Sequence, residues 1–105
     1  MINTEDKLIG TVSDEQIQTW KSMHGKIYAI EVDDSICYLK RPDRKTLSAA
    51  AAIGQSDPIK FAEIMLDNCW LGGDPEIKTD DVKFLGASSK LDSLVQVAAA
   101  NLKEL

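Results

Sequence analysis

The side chains able to do chemistry in this sequence are few and widely spaced. His24 is the only imidazole, and Cys37 and Cys69 are the only thiols. A Ser-His-Asp or Cys-His site needs a histidine oriented by a second group. His24 instead stands directly before Gly25, in the last turn of a predicted helix, where the helix dipole favours a cation. One histidine and two distant cysteines, with no CxxC, form no sequence-local zinc site. In a reducing compartment both thiols are expected to be free, buried and small-apolar in character. Asp74, Glu76, Asp80 and Asp81 crowd one stretch but lack the spaced ligand series of a calcium loop, and read as a solvated loop entering a helix N-terminus. Gly72–Gly73 has neither the preceding strand nor the following Lys-Ser/Thr of a phosphate-binding loop. The sequence therefore assigns no catalytic, cofactor-binding or metal residue, and the expectation is a non-enzymatic chain without a cofactor.

Residues suited to binding are easier to find. Lys40, Arg41, Arg44 and Lys45 form a compact basic cluster, and Trp70 stands beside Gly72–Gly73. Tryptophan is enriched among the anchors of protein interfaces. The net charge is −5, with 17 acidic residues against 12 Lys plus Arg. That balance disfavours a nucleic-acid backbone, which requires a positive field. Three functional classes stay open on these residues. One is a protein-binding module using the basic cluster and Trp70. A second is a small ligand-binding or enzyme subunit with a pocket near Trp70 and Cys69. The third is a DNA-associated regulator using residues 40–45.

These residues must be positioned by the elements around them, and 105 residues suffice for one small domain. Residues 1–12 carry weak periodicity and are expected to be loose, although Leu8–Val12 is a candidate third strand. Ser13, with Gln16 three residues on, is the capping-box start of a helix over 14–24 that Gly25 closes. Alternation over 26–32 and 35–40, joined by Asp33–Asp34, predicts a β-hairpin. Its faces carry Ile36 and Tyr38 on one side, Cys37 and Leu39 on the other. Pro42 ends the hairpin, and a helix with an Ala49–Ala52 run follows to Gly54. Asp57-Pro58 opens a helix over 58–71, expected to be the most buried. Residues 72–79 read as a surface loop, followed by a short helix to Gly86. Ser89, with Asp92, is read as the start of a final helix bearing Leu91, Leu94, Val95, Ala98, Leu102 and Leu105 at helical spacing. The expected fold is α+β: a short N-terminal helix and a hairpin packed on three C-terminal helical segments. No apolar run reaches the ~20 residues of a membrane span, and residues 1–12 lack signal-peptide character, so a cytoplasmic location is expected.

The succession Tyr38-Leu39-Lys40-Arg41-Pro42-Asp43-Arg44, then an alanine-rich helix, then Asp57-Pro58-Ile59-Lys60, then Leu66-Asp67-Asn68-Cys69-Trp70-Leu71-Gly72-Gly73-Asp74, resembles small bacteriophage tail assembly chaperones. The resemblance spans residues 20–105. It implies a phage- or prophage-encoded protein in the cytoplasm of a bacterial host. Such a protein would bind the tape-measure protein, shield its apolar segments and help recruit tail-tube subunits. Neither nucleic acid nor membrane is implied as a partner, and the oligomeric state is left open.

Overall fold

The computed structural model describes residues 7–95 and 100–105. Its first three helices begin where side chains cap them. The Ser13 hydroxyl accepts from the Gln16 N–H at 3.1 Å to start α1 (Asp14–His24), which Gly25 terminates. Asp43 accepts from the Thr46 N–H at 2.8 Å to start α2 (Arg44–Gly54). Asp57 accepts from the Lys60 N–H at 3.1 Å to start α3 (Pro58–Cys69), with Pro58 in its first turn. Each such cap is worth about 1 kcal/mol.

The hairpin is β1 (Ile27–Val32) paired antiparallel with β2 (Ser35–Lys40), Val32 facing Ser35 across the turn. Asp33 occupies the left-handed region at φ 53°, which aspartate tolerates better than most residues. The third strand is β3 (Trp70–Gly73), not Leu8–Val12, and the sheet order is β1–β2–β3. Trp70 turns from α3 into extended backbone (φ −63°, ψ 127°), so the helix stops two residues short of Leu71. Two glycines then let the chain press flat against β2, where Gly73 faces Cys37 and Gly72 faces Tyr38. Leu71 is the extra residue of a bulge between the Gly72 and Trp70 pairings. Leu8–Val12 contributes a single parallel bridge between Ile9 and Ser35. The Ile9 N–H donates to the Asp34 carbonyl at 2.7 Å, and its carbonyl accepts from the Ile36 N–H at 2.9 Å.

The two faces of the sheet are filled as the alternation predicts. Ile30, Cys37 and Leu39 join Ala62, Met65, Leu66 and Cys69 of α3 in the main core. On the other face Trp20 of α1 lies against Tyr38, ring centroids 5.6 Å apart, and over Gly72. Helix α3 is the most buried helix, yet Ile59, expected on its apolar side, is 46% exposed. Both cysteines are free and buried.

Two expectations fail toward the C-terminus. Residues 72–79 are not a surface loop: Asp74 and Ile77 are buried, and α4 (Glu76–Thr79) leads into α5 (Asp81–Ser88). The final helix over 89–105 is also absent from the described residues. Ser89 serves as the C-cap of α5, and a 3-10 turn, Leu91–Leu94, seats Leu91 and Leu94 in the core. Val95 and residues 100–105 have no regular structure, and Leu102 and Leu105 are fully exposed. Ala98 lies outside the described residues. An amphipathic pattern becomes a helix only where a surface covers its apolar face, and beyond Leu94 this fold supplies none for Leu102 and Leu105.

Candidate functional site

Two places in this fold gather polar or apolar groups beyond what packing requires. The first is a cluster that sequence spacing did not reveal. Ser35 opens β2, Asp74 follows β3, and Lys83 lies on α5. The Ser35 hydroxyl donates to Asp74 Oδ2 at 2.5 Å and accepts from Lys83 Nζ at 2.7 Å. Lys83 Nζ also lies 3.2 Å from Asp34, 3.2 Å from Glu76 and 3.7 Å from Asp74. The second Asp74 oxygen accepts from the Glu76 N–H at 3.0 Å. Ser35 has no exposed surface, and the Lys83 and Asp74 side chains are 13% and 6% exposed.

A buried serine beside a lysine invites comparison with Ser-Lys nucleophilic catalysis, which needs a neutral lysine as base. Burial works against the Lys83 charge, but hydrogen bonds and charge from Asp34 and Glu76 outweigh it and hold the ammonium above its ordinary range. The Ser35 hydrogen bond, then the Glu76 amide, hold the Asp74 carboxyl below its ordinary range. The Lys83 hydrogen bond and charge do the same for Asp34. The lysine is a fixed cation and the serine is sealed from solvent. The cluster is a clasp that ties the hairpin turn, the end of β3 and α5 together.

The clasp has a signature in pH. Asp34 and Asp74 titrate below 3.8 when folded, so their contribution is complete above the unfolded value and drains as pH falls through the folded values. Lys83 and the two thiols are shifted upward, the thiols by burial to about 11. Their contribution is complete below the unfolded values, 9.0 for thiols and 10.5 for lysine, and is lost as pH rises through the folded ones. Calorimetry is therefore expected to show a melting midpoint that is level between about pH 5 and 8 and falls on either side. A midpoint that held steady well below the ordinary aspartate range would contradict the clasp.

The second place is α2, which packs principally on α3 and buries only Ala50. Ala49, Ala51 and Ala52 are exposed, with Ile53 and Ile59 beside them. Between α2 and α3 lies a cavity of about 420 Å³ lined by Ala51, Gly54, Gln55, Pro58 and Phe61. At the opposite end of α2, roughly 16 Å away by helical rise, stands the basic cluster. Lys40 is half-buried, and Arg41, Arg44 and Lys45 are exposed. Among the described residues none of these four makes an ion pair, whereas Lys60, Lys78 and Lys83 each do. Asp43, in their midst, has its carboxylate engaged in capping α2.

The remaining candidates are placed as follows. Trp70 is half-buried, pairs with Leu39 in the sheet and carries Lys78 Nζ 4.5 Å from its ring centroid. That register sets it at the same end of the sheet as Lys40. Neither Trp70 nor Cys69 lines the α2–α3 cavity or the cavity of about 310 Å³ beside β1. His24 is exposed at the end of α1. Asp74 and Glu76 converge on the Lys83 ammonium, while Asp80 caps α5 by accepting from the Lys83 N–H at 3.0 Å. Among the described residues no group of three His, Cys, Asp or Glu side chains is placed to hold a metal ion. No helix of the described residues is long and apolar enough to cross a membrane. Compared with protein-family models, curated proteins and solved structures, the chain finds no match in any of the three.

Proposed function

We propose that this chain is a non-enzymatic protein-binding module, a phage or prophage tail assembly chaperone that holds the tape-measure protein and helps recruit tail-tube subunits in the bacterial cytoplasm. The observation that supports this reading is α2 itself. It is a capped helix with an apolar, small-residue face toward solvent, an open cavity at one end and, at the other, four cations without an ion pair among the described residues. A single-layer helix face of alanines lets another helix approach closely, because interaxial distance follows side-chain size. An exposed apolar patch rimmed by charge is the usual mark of a protein interface. The acidic balance elsewhere keeps a chaperone of this kind dissolved while it carries an apolar client.

The test is co-expression with the tape-measure protein encoded alongside this chain, read as the fraction of client remaining in solution and co-purifying. The wild type is expected to hold it, and Arg41→Glu/Arg44→Glu is expected to weaken the complex by about tenfold or more, since both side chains are exposed and make no ion pair among the described residues. A tape-measure protein that neither co-purifies nor gains solubility would overturn the reading. So would a complex indifferent to the double variant and to Ala51→Arg.

A further inference from the structure

Among the described residues the outer strands β1 and β3 each pair only with β2, but β3 is four residues long and bulged at Leu71, which leaves β1 as the one long, regular edge. The direction of the β1 backbone groups follows from what β2 does on its other side. The Ile36 N–H donates to the Ile9 carbonyl, and the Ile36 carbonyl accepts from the Asp74 N–H. Even-numbered residues of β2 thus turn their backbone groups away from β1, and Ser35, Cys37 and Leu39 turn theirs toward it. Their partners Val32, Ile30 and Tyr28 complete that ladder. The N–H and C=O groups of Ile27, Ala29 and Glu31 point outward, and none of the described residues bonds to them. Natural edges are blunted by proline, a bulge or very short length. Strand β1 has six residues in unbroken register with β2 and no proline. The cavity of about 310 Å³ flanks it, lined by Tyr28, Ala29, Ile30 and Leu94 among others.

We infer that this edge is the seat of a second copy of the chain, paired antiparallel about a two-fold axis through Ala29, so that two three-stranded sheets join into one of six strands. The charges select that occupant and that direction. Lys26 precedes the strand, and Glu31 and Asp33 stand at its far end; all three are exposed and without an ion pair among the described residues. Parallel stacking would set Lys26 on Lys26 and Glu31 on Glu31. Antiparallel pairing brings the Lys26 end of each copy beside the Asp33 end of the other. With Ala29 on the axis, Ile27 faces Glu31 and Tyr28 faces Ile30 in both halves, and every outward group of the three edge residues finds a partner. The arrangement is isologous and consumes both β1 edges; the outer strands left at either end are the short, bulged β3, which gives a third copy no comparable edge.

Sedimentation velocity of the full chain from micromolar to near-millimolar concentration tests this. The expected result is a monomer–dimer equilibrium, with amide exchange at Ala29 and Glu31 slowing as concentration rises. Ala29→Pro removes an outward N–H without touching the β1–β2 ladder, and is expected to leave a folded monomer. Lys26→Glu, an exposed change, is expected to weaken association by about tenfold. The exchange measurement and Lys26→Glu decide the matter even if the proline variant unfolds. A monomer at every concentration overturns the inference, as does a dimer whose affinity and Ala29 exchange are indifferent to Lys26→Glu.

Discussion

Gly73→Ala is expected to destabilise the fold by about 2–4 kcal/mol, lowering the melting midpoint by roughly 10–25 °C, from backbone strain plus steric conflict. Gly73 has φ 130°, a conformation L side chains rarely adopt. An added Cβ would stand 2.5 Å from Cys37 Cα and 2.5 Å from the Ile36 carbonyl oxygen. Both are backbone atoms of the central strand, held on one side by β1 and below by α3, so neither can yield cheaply. The methyl must push β3 off β2. Gly25→Ala is the control, since Gly25 also has positive φ, at 82°, but nothing lies within 4 Å of its added Cβ. It isolates the backbone strain and should cost clearly less. Equal losses at the two positions, measured by denaturant unfolding, would show that β3 does not press on β2 as described.

That glycine also marks where the sequence was legible and where it was not. Signals confined to neighbouring residues are readable: Ser13 with Gln16 and Asp57-Pro58 each mark a helix start, whereas before α2 the sequence points to Pro42 and the cap is Asp43. The hairpin and its inward and outward faces followed from alternation and from Asp33–Asp34. Strand β3 was not readable, because Trp-Leu-Gly-Gly has no alternation and a double glycine ordinarily ends structure. Its glycines serve close approach to a strand more than thirty residues earlier, a reason that lies wholly in the tertiary arrangement. The final helix failed for the opposite cause. Its periodicity was good, but Leu91 and Leu94 are consumed by the core while Leu102 and Leu105 find no surface to cover them.

The same distinction separates the two candidate sites. The basic cluster and the alanine face of α2 are local in sequence, so they could be named in advance. The clasp unites the hairpin turn, the residue after β3 and a helix near the C-terminus. Asp74 reads as one more carboxylate in a solvated loop, and nothing in the residues around Lys83 singles it out. Only the fold reveals that Val82 faces solvent while Lys83 turns inward.

Replacing Lys83 by methionine is therefore expected to be the most damaging single change among the charged residues. Methionine matches the length of the stem and supplies no cation. Asp74, nearly buried and accepting from Ser35, would lose the neighbouring positive charge, as would Asp34 and Glu76. Removing one member of a buried pair costs more than removing both, because the survivor is left charged without a counterion. The prediction is thus a non-additive cycle: Asp74→Asn should be harmful alone and much less so in the Lys83→Met background. Ser35→Ala, which removes one hydroxyl bridging the two, should cost about 2 kcal/mol. The pH profile separates a clasp from mere packing. Lys83→Met should make the acid limb shallower without abolishing it: Asp34 loses the cation that chiefly holds its carboxyl down, whereas Asp74 keeps the Ser35 hydrogen bond and the Glu76 amide that hold down its own. Additive losses, with an acid limb as steep as in the wild type, would reduce Lys83 to a space-filling side chain.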